Sequence, residues 1–220
     1  MTTRQRFLAW AAHELRGEIA LQMALAEAAL SDPDADTDAL REMGEGVLIA
    51  CQRQERLLEA LLTLARSEHG QLRREPVDLA ATAAEALRAQ DHRGLGSTTA
   101  LSPARTVGDP QLIERLVANL VSNAVRHNIR GGRVDVATHT DAGRASFTIA
   151  NTGAVIRTGE LTRLFRPFQR LRSRAGSSPD GVGLGLVIVQ AIANAHDATV
   201  TAQALIGGGL GIAVAFPALG

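Results

Sequence analysis

The chain has 220 residues, with 23 basic and 23 acidic side chains and a formal net charge of zero. This length accommodates one large domain or two small ones, each with a real core. The charge balance removes any global electrostatic case for nucleic acid or an anionic membrane surface. A single cysteine, Cys51, excludes an internal disulfide and fits a reducing compartment. All basic residues are arginine, a compositional habit of this Ala- and Gly-rich chain rather than a phosphate-binding device. No apolar run approaches the roughly 20 residues that span a bilayer, and no signal peptide opens the sequence, so a soluble, cytoplasmic protein is expected.

From Phe7 to Leu30 the apolar residues Leu8, Ala12, Leu15, Ile19, Ala26 and Leu30 recur at helical spacing. Ser31-Asp32-Pro33-Asp34 breaks the pattern, because proline disfavours helix in the residue before it and Ser and Asp compete for backbone hydrogen bonds. A second helical stretch runs from about Thr37 to Ser67, carrying Leu40, Met43, Val47, Leu57, Leu58, Leu61 and Leu64. Two long helices with a short connection predict an antiparallel hairpin. A hairpin leaves its apolar stripe uncovered, and a homodimeric four-helix bundle would bury it; packing as an arm on the rest of the chain is the alternative. His69 to Pro76 reads as a linker. Beyond it the sequence predicts a helix over 78–89, a strand over 97–101, a helix from Pro110 to about His127, and strands over 134–138 and 146–150 joined by the turn Asp141-Ala142-Gly143. Residues 152–180 read as one long loop, followed by a helix from Gly183 to about Ala195 and strands over 199–205 and 210–216. The expected class is α+β, a helical hairpin followed by an α/β sandwich.

Three groups of residues carry chemistry. His13 and Glu14 put an imidazole beside a carboxylate on the first helix; a neutral imidazole can attack phosphorus, and a neighbouring carboxylate can take or orient its proton. Asn119 and Asn123 share a helix face at a spacing of four, and an amide oxygen suits Mg²⁺, which accepts one or two protein groups beside substrate phosphates. Arg126 and His127 follow within reach of phosphate oxygens. Gly181, Gly183 and Gly185 precede a helix whose N-terminus favours an anion. Alone, each has an ordinary reading: an exposed His-Glu pair, two polar residues on a surface helix, a flexible loop. No Gly-x-x-x-x-Gly-Lys segment exists, which closes the P-loop route to a nucleotide. Gly207-Gly208-Gly209 reads as a hairpin turn only, and His69, His92, His139 and His196 as surface or linker residues.

In this order the elements resemble the transmitter region of a sensor histidine kinase of two-component signalling, whose Bergerat (GHKL-type) nucleotide domain is shared with DNA gyrase, a class of heat-shock chaperones and mismatch-repair ATPases. Residues 7–16, centred on His13, look like the phosphoacceptor box. Asn119 to Asn128 look like the N box, Asn151-Thr152-Gly153 the adenine-binding box, Leu164-Phe165-Arg166-Pro167-Phe168 the F box, and Gly181 to Leu186 the glycine box. The Arg- and Ala-rich wording is similar to actinobacterial members. The resemblance implies a dimerisation and histidine phosphotransfer domain over 1–70 and an ATP-binding domain over 76–220. It implies ATP and Mg²⁺ as cofactors, phosphorylation of His13 with help from Glu14, and Mg²⁺ on Asn123. Asn119, Arg126, His127 and Arg170 would lie near the phosphates and Asn151 and Gly153 at the adenine, while residues 152–180 would be a lid over ATP that closes through the ATP-binding glycine box of Gly181, Gly183, Gly185 and Leu186. The implied partners are a second copy of the chain and the receiver domain of a response regulator; an upstream membrane sensor is either absent or outside this sequence.

Two departures bear on activity. Gly17 and Glu18 stand where most members carry Thr and Pro, so no side chain is present at 17 to orient water for regulator dephosphorylation. Asn151 replaces the more frequent Asp, which turns a charge-assisted bond to the adenine amine into an ordinary one, weaker by about 1 kcal/mol. Besides an active kinase, these residues leave open a degenerate dimeric nucleotide-binding regulator, and more distantly another ATPase of the same nucleotide-domain type.

Overall fold

The computed structural model describes residues 3–31, 36–68, 72–90, 94–164 and 185–220. They fall into two compact units, one ending at Leu62 and the other beginning at Thr63.

The first unit is a helical pair. Helix α1 spans Thr3–Ser31 and α2 spans Thr37–Glu68. Asp36 starts α2: its Oδ1 accepts from the Ala39 N–H at 2.8 Å, the side-chain cap that satisfies an otherwise orphaned first-turn donor. The helices run antiparallel. Gln22 donates to Cys51 Sγ at 3.2 Å and accepts from Gln54 Nε2 at 3.3 Å, while Gly46 lets Leu25 approach the α2 backbone, since an added Cβ would stand 3.2 Å from a Leu25 methyl. Among the described side chains of this pair only Ala50 is buried, whereas Ile19, Leu21, Met23, Leu30, Leu40, Leu48, Ile49 and Leu58 are exposed.

The second unit is a two-layer sandwich. A five-stranded sheet has the order β2-β4-β5-β7-β6, with β2 (Gly96–Leu101), β4 (Arg133–Asp141), β5 (Arg144–Asn151), β6 (Thr199–Ala204) and β7 (Leu210–Pro217). β2 and β4 are parallel and the other neighbours antiparallel. Helices α3 (Leu79–Arg88), α4 (Pro110–Arg126) and α6 (Gly185–Ala195) supply the other layer, and a short α5 spans Thr158–Leu164. Period-two alternation sends Val134 and Val136, Phe147 and Ile149, and Ile212, Val214 and Phe216 inward. They meet the helical stripe of Leu79, Leu116, Leu120, Val189 and Ile192. Burial of Phe147 and Phe216, both fully enclosed, contributes on the order of 2–3 kcal/mol each. Asp78 caps α3 by accepting from the Ala80 N–H at 2.9 Å; Asp109 caps α4 through Gln111 and Leu112, with Pro110 at the first helical position, where its missing N–H costs nothing.

Three elements depart from the sequence expectation. β1 (Glu75–Asp78) occupies the end of the expected linker and pairs antiparallel with β3 (Arg105–Gly108). α5 interrupts the expected long loop. Four-residue strands and a seven-residue helix are too short for a periodic signal, so tertiary pairing decides them.

His196 is a correction of a different kind. It was expected at the surface and is instead buried, 5% exposed; His139 is exposed, and His69 and His92 lie outside the described residues. Helix α6 ends in a Schellman motif without glycine: Asp197 takes φ 51°, and the Ala198 N–H reaches the Ala193 carbonyl at 2.9 Å. That turn directs His196 inward, where Nε2 accepts from the Asp109 N–H at 3.0 Å and Nδ1 lies 2.7 Å from the Ile192 carbonyl. With Nδ1 carrying the proton, both ring nitrogens are satisfied, and the ring packs edge-on to Phe216 at 6.2 Å. The imidazole thus rivets the end of α6 to the start of α4. His196→Ala is expected to cost about 3 kcal/mol, the sum of a cavity and an orphaned Asp109 N–H. Urea unfolding checks this; a loss under 1 kcal/mol would show the rivet to be dispensable.

Candidate functional site

Helix α4 presents its amide pair beside the core stripe. Asn119 Nδ2 is buried and has no hydrogen-bond partner among the described residues. A buried donor left unpaired costs about 1–3 kcal/mol, which a partner from outside the described residues, a water or a bound group, would recover. Asn123, one turn on, faces the first residue of α6: a Cβ built on Gly185 would stand 3.1 Å from Asn123 Nδ2 and 3.4 Å from Oδ1. A side chain at 185 would crowd the amide, so glycine lets the first residue of α6 lie close against it. Leu186 is half-buried in the first turn of α6. Arg126 and His127 are exposed at the end of α4, where the His127 N–H closes the helix on the Asn123 carbonyl at 3.0 Å.

The second half of the site is the end of β5. Asn151 is 7% exposed and paired with Val134 on β4 and Leu210 on β7. Its Nδ2 donates to the Thr152 carbonyl at 2.7 Å, which fixes the amide's orientation. At Gly153 an added Cβ would stand 2.9 Å from the His127 carbonyl oxygen and 3.3 Å from Asn151 Nδ2. The end of α4 and the loop after β5 therefore meet at backbone distance, and only glycine permits it.

Two features of the site were missed in the sequence. Gly207-Gly208-Gly209 is more than a hairpin turn. A Cβ on Gly208 would stand 2.4 Å from the Gly153 carbonyl oxygen, one on Gly209 would stand 2.0 Å from that of Asn151, and the Gly209 N–H donates to the Ala154 carbonyl at 3.0 Å. The β6–β7 turn is thus the floor under the Asn151-Thr152-Gly153 loop, and three consecutive glycines were the available signal. The other is a side-chain knot between Asn128 and Thr152, described below, which no local pattern announces.

The structure brings Asn119, Asn123, Arg126, His127, Gly185 and Leu186 to α4 and the start of α6, and Asn151 and Gly153 to the adjoining loop. His13 and Glu14 lie on α1, with side chains outside the described residues. Arg170, Gly181 and Gly183 lie outside the described residues, as do Phe165, Arg166, Pro167 and Phe168. A donor unpaired among the described residues, a second amide beside the start of a helix and a buried amide at a strand end suit a polyphosphate with a divalent cation at one end and a hydrogen-bonding base at the other. The geometry defines an α/β sandwich that gathers these amides along α4, the start of α6 and the end of β5.

Residues 108–219 match the family described as histidine kinase-, DNA gyrase B-, and HSP90-like ATPases. The sensor protein CutS of Streptomyces coelicolor is 41% identical over 98% of this chain and 53% of its own length. The sensor-like histidine kinase SenX3 of Mycobacterium tuberculosis is 31% identical over 98% of this chain and 54% of its own length. Among solved structures, the mycobacterial sensor histidine kinase MprB superposes with a TM-score of 0.60 at 30% identity, covering 66% of this chain and 98% of its own. The Acinetobacter baumannii histidine kinase AdeS gives a TM-score of 0.70 over 93% of this chain and 97% of its own at 24% identity, which shows the fold. The chain belongs to the histidine kinase-, DNA gyrase B-, and HSP90-like ATPase family, on the sensor histidine kinase branch, and carries that family's ATP-binding domain. It spans about half the length of the sensor proteins it matches. No helix among the described residues is long and apolar enough to cross a membrane.

Proposed function

We propose that this chain is the kinase core of a two-component sensor: it phosphorylates His13 from ATP and passes the phosphoryl group to an aspartate of a response regulator. The observation that carries the reading is the enclosed Asn119 Nδ2, unpartnered among the described residues, beside Asn123 on α4, whose amide lies close against Gly185 at the start of α6. Asn123 would hold Mg²⁺, whose charge would neutralise that developing on the phosphates. Asn119, Arg126, His127 and Arg170 would face the phosphates, and Asn151 would accept from the adenine amine. In the transfer a His13 nitrogen bonds the terminal phosphorus, the bond to the ADP oxygen breaks, and Glu14 takes the imidazole proton. Such a step asks mainly for positioning and charge neutralisation.

Homodimerisation is part of the proposal. Of the exposed apolar residues, Ile19, Met23 and Leu30 share one side of α1 and Leu40, Leu48 and Leu58 one side of α2, and a four-helix bundle with a second copy would cover them. The site of action would be cytoplasmic, next to the receiver domain.

Incubation of the full chain with γ-labelled ATP and Mg²⁺ is expected to give acid-labile, base-stable label that His13→Gln abolishes. Label that persists in the variant would sink the assignment of His13. A second reading, a dimeric regulator that binds nucleotide without phosphoryl transfer, is favoured by Gly17 and Glu18 after the phosphoacceptor box. Nucleotide binding with no label would select it. Packing within the chain does not demand glycine at 17, since an added Cβ there meets nothing within 4 Å. In the same preparation, a phosphorylated regulator is expected to decay no faster when the chain and ADP are added.

A further inference from the structure

We propose that Asn128 and Thr152 form a positioning lock that sets the span between the phosphate-facing and base-facing halves of the nucleotide site; this rests on the nucleotide reading above. The Asn128 amide is saturated. Nδ2 donates to the Ala124 carbonyl at 3.3 Å and the Arg133 carbonyl at 3.0 Å. Oδ1 accepts from the Ile129 N–H at 2.9 Å and from the Thr152 hydroxyl at 2.5 Å. The Thr152 hydroxyl in turn accepts from the Arg133 N–H at 2.8 Å, and the Thr152 N–H donates to the Arg133 carbonyl at 3.0 Å. One side chain thus ties the last turn of α4 to the first residue of β4 and to the residue after Asn151. Gly132 closes the knot, because a Cβ there would stand 2.1 Å from Asn128 Oδ1 and 2.2 Å from Thr152 Oγ1.

The two halves have different anchors. Asn151 is held by the ladders to Val134 and Leu210, and its loop by the Gly209–Ala154 bond; none of these involves Asn128. Asn119 and Asn123 ride on α4. The lock is the side-chain connection between them, so it governs whether one ligand satisfies base and phosphate contacts together. A span held in advance removes an ordering cost from binding, and its value appears only for ligands long enough to use both halves, as with linked binding modules.

The test uses the full chain and calorimetric titration with adenosine and with Mg·ADP. Thr152→Val keeps the shape and removes the hydroxyl; it is expected to weaken ADP about tenfold while adenosine moves less than twofold. Thr152→Ser is expected to hold both within about twofold of the unaltered chain. A merely structural role would weaken both ligands equally, and that result, or no change in either, would overturn the lock while leaving the nucleotide reading intact. Should Thr152→Val not fold, Asn128→Asp, which keeps the acceptor but loses both donated bonds, is expected to shift the same ratio the same way. An unaltered chain that binds neither ligand would overturn the lock and the nucleotide reading together.

Discussion

Gly209→Ala is expected to lower stability by about 3 kcal/mol or more and to remove nucleotide binding with it. Two costs add. Gly209 sits at φ 111°, a region an L side chain occupies at a cost of about 1–3 kcal/mol. Its added Cβ would also stand 2.0 Å from the Asn151 carbonyl oxygen and 3.0 Å from Thr152 Cα; forced overpacking costs about 1–3 kcal/mol more. The obstructing atoms are backbone, so relief comes only from moving the strand end that carries Asn151. Gly207→Ala is the matched control: φ is 90°, but the added Cβ meets nothing within 4 Å. It is expected to show the backbone cost alone, about 1–2 kcal/mol, with ADP affinity unchanged. Denaturant melts and ADP titrations on the two variants check this; equal losses in both would refute the account of the β6–β7 turn as the floor of the site.

What the sequence disclosed follows from where each signal resides. Helix α4 was legible from its start because Asp109-Pro110 is a local instruction, a side-chain cap followed by a residue that needs no N–H, and the apolar spacing behind it is helical. The long strands of the sheet announced themselves by alternation, as at Val134 and Val136. β1 and β3 did not, since the pairing of Glu75 with Gly108 is set by the tertiary fold rather than by four residues of pattern. The amide pair at 119 and 123 could be read from spacing alone. The orphaned state of Asn119 could not, because burial depends on elements elsewhere in the chain. The Asn128–Thr152 knot joins positions 24 apart by side-chain bonds with no periodicity. His196 looked like a surface residue at a helix end. Its burial depends on Asp109 and Ile192 together supplying one donor and one acceptor, which is a property of packing.

Asn119→Leu is expected to separate folding from binding in opposite directions. The amide Nδ2 is enclosed and unpaired among the described residues, so within them it carries a desolvation penalty that no bond offsets. Leucine has nearly the same shape and no polar atom. The variant is expected to unfold at equal or higher denaturant, with stability raised by about 1 kcal/mol. In the proposed complex the same amide donates to a phosphate oxygen, and hydrogen bonds to charged groups contribute about 1.5–3 kcal/mol. ADP affinity in the presence of Mg²⁺ is therefore expected to fall by roughly 10- to 150-fold. Opposite signs distinguish a binding group from a structural one, because a side chain that serves the fold loses stability and affinity together. A leucine variant less stable by more than 1 kcal/mol would mean that the amide is satisfied inside the folded chain, and the site would lose the observation on which its function rests. If the gain and the loss both appear, the instability of the free protein is the counterpart of the affinity, as expected where a site is held ready for a ligand.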